Sequence, residues 1–323
     1  MNDVENFYKN KLLENGFEQI EANESYSSIG TLFRVSPKLG EGTYWVYGVK
    51  DLYDIKIHDF LFYEDAFFNI ETLDWPECLS IAFYESVSGE ELMPYRRLNA
   101  GCVKSFIGGS EPYKAIYHKN IPIRTVGIEI MPAYYNKYLQ AEYPNEYVAP
   151  NEAFRAIDQT NHFPEMITLL RQVWDYRGEG MAAKLFYEGK VAEAVALVIE
   201  HNRNHRPPKE VKIIKRDIEL LENVASYIND HYNHEIPLET LARISCMGTT
   251  KLKSTFKQVY ACTITEYIQQ RRMSHAETLL SSTDFTVEQI SQTVGYSNSG
   301  RFADVFRKST GLFPSEYRKA AKR

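Results

Sequence analysis

The chain lacks the sequence features that mark membrane, secreted and zinc-binding proteins. It has no run of about 18 apolar residues, so no membrane span is expected. Residues 1–21 mix Asp, Glu, Lys and Asn and contain no apolar stretch of the secretory type. The four cysteines, at positions 78, 102, 246 and 262, form no C-x-x-C pair, which argues against a disulfide framework and a zinc finger. We therefore expect a reduced, cytoplasmic protein without a membrane partner.

Motifs of common enzymes and cofactor sites are also missing. The sequence contains no G-x-S-x-G, no phosphate-binding loop, no H-E-x-x-H and no dinucleotide fingerprint. His201 and His205 are four residues apart, but Pro207–Pro208 follows and no third metal ligand is near. We expect no enzymatic activity, no bound metal and no cofactor.

Charge is divided unevenly along the chain. The whole sequence has a net charge of -6, with 37 basic and 43 acidic residues. Residues 211–323 contain 16 basic and 12 acidic residues, whereas the remainder contains 21 and 31. The basic C-terminal part can therefore bind the phosphate groups of a nucleic acid, whereas the acidic remainder is poorly suited to such binding.

The N-terminal part has the pattern of a β-rich domain. Residues 26–130 are rich in Tyr, Phe, Ile and Val and are punctuated by Gly, Pro and Asp. Residues 42–48, 56–63 and 124–130 are predicted strands. Short strands at this spacing predict a sandwich or a barrel.

From Phe163 onwards the apolar residues recur with a helical period. One helix is predicted near residues 163–174 and a second over residues 181–201, and together they predict an antiparallel hairpin. The apolar stripes are broad, so we predict a homodimer built on these helices, although they can equally cover the sheet. A charge at Val195 should weaken dimerisation if this residue lies at the interface, and it should unfold the domain if the residue lies in the core.

A linker is predicted where the charge balance changes sign. Residues 202–209 contain three basic residues, His205 and Pro207–Pro208, and a second histidine, His201, lies just before them. The predicted organisation is an N-terminal domain over residues 1–205, a linker over 206–212 and a C-terminal domain over 213–323. The fold class is α+β, with an all-helical C-terminal domain.

The C-terminal domain contains an internal repeat. Residues 251–257 and 301–307 place apolar and basic residues at the same positions. The register continues on both sides, which indicates two copies of one structural unit. The further pairs are Ala261 with Gly311, Glu266–Tyr267 with Glu316–Tyr317 and, with one extra residue in the second turn, Leu241–Ala242 with Ile290–Ser291.

Each unit has the parts of a helix-turn-helix. A short helix carries an apolar residue followed by a small one, which lets a second helix cross closely. The second helix has apolar anchors at i and i+4 and an opposite face that is polar and basic. Such a helix fits the major groove of duplex DNA. A long helix over residues 264–281 would hold the two readers roughly 34 Å apart, about one duplex turn.

Residues 215–318 resemble the DNA-binding domain of the AraC/XylS family of bacterial transcription regulators. The resemblance implies a domain of seven helices that usually activates transcription together with RNA polymerase. It rests on Leu241–Ala242, Leu252, Phe256–Lys257, Tyr267, Arg271–Arg272, Ala276, Leu279–Leu280, Ile290, Val294–Gly295–Tyr296, Phe302, Phe306–Arg307–Lys308, Gly311 and Pro314–Ser315–Glu316–Tyr317–Arg318.

The resemblance also implies which side chains meet DNA. Two positions depart from the family pattern: Asp304 stands where a donor is common, and Ala261 replaces a usual glycine. Asp304 can accept from a cytosine amino group, but an ion pair with a neighbouring residue is the favoured interpretation. The implied contacts are Thr249, Thr250, Lys251, Lys253, Ser254 and Lys257 in the first reader, and Asn298, Ser299, Gly300, Arg301, Asp304, Arg307 and Lys308 in the second.

In this family the N-terminal domain commonly senses a small molecule and dimerises. Residues 185–193 and 247–253 are similar to the siderophore-responsive branch, which ranks the possible ligands. The candidate effector contacts are Trp45, Tyr47, Phe62 and Arg96, although these aromatics can equally be core residues and Arg96 can lie in an exposed turn. Control by a protein partner and an enzyme domain fused to a DNA reader are the alternatives to a small-molecule effector.

Overall fold

A computed structural model describes residues 4–21, 24–70, 77–92, 95–109, 112–157, 163–204, 215–260 and 262–322. The chain divides into two compact units. The first contains residues 1–93 and 98–206, and the second contains residues 94–97 and 207–323. The predicted linker, residues 206–212, and Ala261 lie outside the described residues.

The first unit is dominated by antiparallel strands, as expected from its aromatic and β-branched composition. Seven of them form one sheet in the order β1–β2–β3–β4–β11–β6–β9, and a smaller sheet contains β5, β10 and β7 in this order. The strands of the first unit are β1 (Phe17–Ile20), β2 (Thr31–Val35), β3 (Gly40–Val49), β4 (Tyr53–Phe62), β5 (Ala66–Ile70), β6 (Cys78–Ser86), β7 (Gly89–Leu92), β9 (Cys102–Gly108), β10 (Tyr113–Tyr117) and β11 (Ile123–Ile130). A short strand, β8 (Tyr95–Arg97), belongs to the second unit.

Helices cover one face of the larger sheet. Side chains alternate between the two faces of a strand, and Trp45, Ile55, Ile57 and Ile128 pack with apolar residues of α3, α4 and α5. The expected helical hairpin is confirmed as α4 and α5. The helices of this unit are α1 (Val4–Glu14), a π-helical turn (Ala133–Tyr138), α2 (Leu139–Glu142), α3 (Asn151–Ile157), α4 (Pro164–Asp175) and α5 (Gly180–Asn204).

Val195 belongs to this core, with 4% of its surface exposed. Of the two alternatives for Val195, the structure supports a core position, so a charge there would disrupt the packing of α5 on the sheet. The helix has a different outward face, on which Met181 and Leu185 are 76% and 59% exposed.

In the described residues from Lys215 onwards, all regular secondary structure is helical. A β-rich first unit and a helical second unit together confirm the predicted α+β fold class. The expected seven helices are all present within the described residues. They are α6 (Lys215–His231), α7 (Leu238–Ile244), α8 (Thr249–Tyr260), α9 (Ile264–Ser282), α10 (Val287–Thr293), α11 (Ser299–Thr310) and α12 (Pro314–Ala321). Among the described helices of both units, none combines the length and apolar character that crossing a membrane requires.

Candidate DNA-binding surface

Two helix pairs, α7–α8 and α10–α11, have the same backbone frame. In the first, Ser245 N donates to Leu241 O at 3.0 Å, and in the second Val294 N donates to Ile290 O at 3.0 Å. Met247 N donates to Ala242 O at 3.1 Å, and Tyr296 N donates to Ser291 O at 2.8 Å. The paired residues of the two turns are 49 positions apart, as the sequence repeat predicted for this segment. The same backbone hydrogen bonds in both turns confirm that they are two copies of one structure.

The second helix of each pair is anchored by the same apolar contacts. Phe256 meets Tyr267 edge-on with ring centroids 5.5 Å apart, and Phe306 meets Tyr317 edge-on at 5.3 Å. Both phenylalanines are fully buried, as is Leu252. Burial of these anchors leaves the opposite face of α8 and of α11 exposed to solvent.

The turn before each of these helices contains a residue with positive φ. In the second turn it is Gly295, with φ 85°, and in the first it is Cys246, with φ 52°. A Cβ atom at Gly295 would lie 2.4 Å from the carbonyl oxygen of Asn233, so only glycine fits there. Cys246 already has a Cβ atom in the same region of φ, and an L-residue in this conformation is strained.

Helix α8 presents several donors on its exposed face. Thr250, Lys253 and Lys257 are exposed, and Ser254 is partly exposed. The single hydroxyl proton of Ser254 is shared between the carbonyl oxygens of Lys251 and Thr250, at 2.9 and 3.2 Å, so within the free protein it is used inside the helix. Thr249, at the first position of α8, is also partly exposed.

Lys251 has a partner that the sequence did not reveal. Its Nζ lies 2.9 Å from Oδ2 of Asp217, in the first turn of α6. The side chain of Asp217 is only 6% exposed, whereas that of Lys251 is 46% exposed. Lys251 is thus held at the edge of the exposed face by an intramolecular ion pair. The 34 residues between the two positions explain why sequence reasoning missed Asp217.

Helix α11 has shorter side chains at its start. Asn298 is the N-cap, and its Oδ1 accepts from Arg301 N at 2.8 Å, so this side chain serves the helix end. Ser299, Gly300 and Arg301 follow on the exposed surface.

Asp304 is exposed and forms no ion pair within the part of the chain that the structure describes. The favoured interpretation of Asp304 as a salt-bridged residue is therefore wrong for the described residues. Arg307 lies over the ring of Phe313, 4.4 Å from its centroid, and this contact orients the guanidinium. Lys308 is exposed beside it.

Arg272 of helix α9 joins the segment that follows α6 to the turn of the second helix-turn-helix. Its Nε donates to Tyr232 O at 2.7 Å, and its Nη2 donates to His234 O at 3.1 Å, both just after α6. Its Nη1 donates to Gly295 O at 3.1 Å, in the turn of the second unit. Because the guanidinium is a rigid planar fork, these three bonds fix the second turn relative to the end of α6.

The proposed effector contacts of the first unit do not come together. Trp45 and Tyr47 face the helices, and each ring lies 5.5 Å from that of Tyr187 in α5. Phe62 packs on the opposite face of the sheet with Phe60 and Phe17. Arg96, in β8, belongs to the second unit. These four residues therefore do not line one cavity.

A cavity of about 140 Å³ lies on the other face of the larger sheet. Its polar lining includes Lys56, His58, Lys104 and Glu129, together with hydroxyl groups from Ser80 and Thr125. None of these side chains was singled out from the sequence. Their signal was the alternation of Lys56 and His58 with apolar residues in β4, but alternation alone does not say which face encloses a cavity.

Two family descriptions match the chain. Residues 241–320 match a helix-turn-helix domain, and residues 44–213, more than half of the chain, match the N-terminal domain of the regulatory protein PchR. The chain is an AraC-family transcription regulator.

Curated relatives of this regulator include proteins named as transcription regulators. It is 30% identical over 131 residues to YdiP of Escherichia coli strain K12, covering 41% of the regulator and 43% of YdiP. It is 25% identical over 189 residues to the arabinose operon regulatory protein of the same organism, covering 58% and 60%. It is 32% identical over 122 residues to AdaA of Bacillus subtilis strain 168, named a bifunctional transcriptional activator and DNA repair enzyme, covering 37% and 58%.

In each of these three comparisons the AraC-family regulator spans less than two thirds of the relative's own length.

Proposed function

We propose that this AraC-family regulator binds duplex DNA in a sequence-specific manner through α8 and α11. The observation that supports this most strongly is the repeated frame, in which two helices with buried anchors at i and i+4 expose polar and basic faces. Helices of this kind enter successive major grooves, with side chains near their N-termini on base edges. Helix α9 and the Arg272 bonds would keep the two readers at a fixed separation.

The two readers contribute differently in this proposal. The first offers Thr250, Lys253 and Lys257 to DNA, with Thr249, Lys251 and Ser254 beside them. The second begins with a capping Asn298, Ser299 and Gly300, so few long side chains reach base edges from its start. We expect the first reader to supply most base discrimination and the second to supply backbone affinity through Arg307 and Lys308, with Arg301 and Asp304 as secondary contacts.

The test compares two variants of the full chain on its preferred site, selected from random duplexes, and on single-base variants of that site. Lys253→Ala should cost about 1–3 kcal/mol on the preferred site and relax the preference at one base pair. Arg307→Ala should weaken all duplexes alike and reduce the salt slope by about one. Binding that does not depend on salt, or equal binding to all duplexes by the parent chain, would contradict sequence-specific recognition.

The regulator is further proposed to be a cytoplasmic activator whose effector is a small molecule bound by the N-terminal domain. The polar cavity supports this proposal, because concave sites with a few convergent polar groups are typical of ligand sites. Activation implies RNA polymerase as a partner. No catalytic step belongs to the proposal.

A homodimer is part of the same proposal, and its interface would be the outward face of α5. Met181 and Leu185 are exposed on this face, and Gly189, Ala192 and Ala196 continue it along the helix with small residues. An exposed apolar and small-residue face lets a second helix approach closely, and a two-fold dimer reads paired DNA sites.

A further inference from the structure

The cavity face of the larger sheet is polar across several adjacent strands. Lys56 lies opposite Gly127, Gly127 lies opposite Ala82, and Ala82 lies opposite Lys104. Because directly paired residues point to the same face, this row places two lysines on either side of a small-residue floor. A Cβ atom at Gly127 would lie 3.1 Å from that of Ala82, so a larger residue at either position would take space from the cavity.

A neighbouring row supplies the opposite charge. Glu129 lies opposite Ser80, and Ser80 lies opposite Phe106, on the same face as the two lysines. Glu129 Oε2 lies 2.6 Å from Lys56 Nζ. The cavity therefore offers ammonium groups in one row, and a carboxylate, a hydroxyl and an aromatic ring in the next.

The size of the cavity limits its occupant. Its volume is about 140 Å³, close to the roughly 150 Å³ of an engineered protein cavity that holds one benzene molecule. A molecule of the size of a single six-membered ring fits within this volume, whereas a larger molecule would extend from the cavity into solvent.

Two buried ion pairs at the cavity are difficult to explain by stability. The side chains of Lys56 and Glu129 are each 7% exposed, and those of Lys104 and Glu91, which also pair, are each 6% exposed. Desolvation of such pairs often costs more than their attraction returns, and apolar replacements are frequently as stable. Buried charges that line a cavity are instead typical of binding sites.

Charge balance points to the class of ligand. The buried Asp54 lies directly opposite Glu129 and adds a second carboxylate to that row. A molecule with one carboxylate and one ammonium therefore meets opposite charge at both ends, whereas a purely anionic or cationic ligand would place its charge near a row of the same sign. An ammonium has three donors and a carboxylate has several acceptor positions, so each can hold its present partner and a ligand group. Nε2 of His58 has no hydrogen-bond partner among the described residues and offers one more polar contact.

We propose that this cavity binds a small zwitterion of the amino-acid class, with its carboxylate between Lys56 and Lys104 and its ammonium at Glu129. The assignment rests on the effector control proposed above and specifies its ligand.

Isothermal titration calorimetry of the full chain with L-serine, L-valine, L-proline and 4-aminobutyrate tests the ligand class. Each is compared with its N-acetyl derivative, which lacks the ammonium, and its methyl ester, which lacks the carboxylate. At least one zwitterion should bind, and removing either charge should weaken binding by about tenfold or more, because a buried charged group then loses its partner. Failure of all four to bind, or equal binding of a derivative, would overturn the proposal.

A double variant tests the location. Lys56→Met with Glu129→Met removes both charges together, so that neither is left unpaired in the interior, and the chain should still fold. Binding of the zwitterion should fall by about tenfold or more. Lys137→Met, at an exposed lysine of the π-helical turn, is the matched control and should bind as the parent does. Unchanged binding by the double variant would place the ligand elsewhere.

The identity of the ligand and the control of DNA binding by that ligand are separate claims. Measuring DNA affinity with and without the zwitterion tests the second claim independently of the first. A zwitterion that binds in the cavity without changing DNA affinity supports the ligand class and contradicts effector control. A small molecule of another charge class that binds in the cavity and changes DNA affinity supports effector control and contradicts the zwitterion.

Discussion

Lys251 and Asp217 form an ion pair that joins the first turn of α6 to recognition helix α8, with Nζ 2.9 Å from Oδ2. Lys251 was expected to contact DNA, but its ammonium is already bound by a carboxylate that is nearly buried. In the free protein this pair lowers the charge that α8 can present to phosphate.

Asp217→Asn should therefore increase DNA affinity. Loss of the carboxylate frees the Lys251 ammonium for phosphate, so affinity should rise severalfold on all duplexes and the salt slope should steepen by about one. Lys251→Met should instead lower stability by about 1–2 kcal/mol, because it leaves the Asp217 carboxylate without its cation. Fluorescence anisotropy at several salt concentrations measures the first effect and calorimetric melting the second. An unchanged salt slope in Asp217→Asn would show that Lys251 does not reach DNA.

The turns of the two helix-turn-helix pairs have their positive-φ residue at Cys246 and Gly295, and substitutions at these two positions should have opposite effects on stability. Cys246→Gly should stabilise the second unit by about 0.5–1 kcal/mol, because it relieves a left-handed conformation that glycine adopts freely. Gly295→Ala should destabilise it by about 2–3 kcal/mol, since its methyl group would collide with Asn233 O. Differential scanning calorimetry can follow both shifts. Destabilisation by Cys246→Gly would mean that the thiol contributes more than the strain costs.

The dimer proposal predicts different outcomes at two positions of α5. Leu185→Asp should dissociate the dimer without lowering the melting temperature, because Leu185 is 59% exposed. Val195→Asp should lower stability by about 3 kcal/mol or more, because it buries a charge in the core. Sedimentation velocity and thermal melting together distinguish the two effects. A Leu185→Asp chain that remains dimeric would exclude this face of α5 as the interface.

Arg272 should control how the two readers act together. Arg272→Met removes three hydrogen bonds to backbone carbonyl oxygens and should weaken binding to the complete site by about tenfold or more, because the second reader is no longer held at the correct separation. Duplexes that carry only the part read by α8 should be bound almost as before. Arg272→Lys should be intermediate, since one ammonium cannot match the planar fork. Equal losses on both kinds of duplex would point to general unfolding instead.

His58 should make the first unit sensitive to acid. Burial, with a smaller contribution from the charge of Lys56, lowers the pKa of His58 from 6.5 to about 3. Between pH 6.5 and about pH 3, His58 is therefore protonated in the unfolded chain but neutral in the folded chain. The free energy of unfolding should fall by up to about 1.4 kcal/mol per pH unit as the pH drops below 6.5. Urea unfolding at pH 7 and pH 5 should show a smaller decrease for His58→Gln than for the parent. An equal decrease in both would contradict this assignment.

The parts of this protein that could be predicted from sequence depend on local periodicity. Leu252 with Phe256, and Phe302 with Phe306, carry a helical period and recur at a fixed spacing, so both recognition helices were predictable. The helical hairpin was predictable for the same reason.

Contacts between distant segments were not predictable in this way. The partner of Lys251 lies 34 residues upstream, and the three acceptors of Arg272 are backbone atoms, which have no sequence signal. The cavity depends on the register of β4, β11, β6 and β9, which follow one another in space but not in the chain. Trp45 and Tyr47 were therefore chosen as aromatic candidates although their side chains point to the helical face.

The Arg272 bonds have a consequence for redesign of this regulator. The acceptors of these bonds are main-chain oxygens. The outward side chains of α8 and α11 can therefore be exchanged without changing the hydrogen bonds by which Arg272 holds the second turn to the end of α6. At Gly295, a side chain would collide with the carbonyl oxygen of Asn233. New operator sequences can therefore be sought by varying the surface positions of α8 and α11 that were named as DNA contacts, while the hydrogen bonds of Arg272 stay in place.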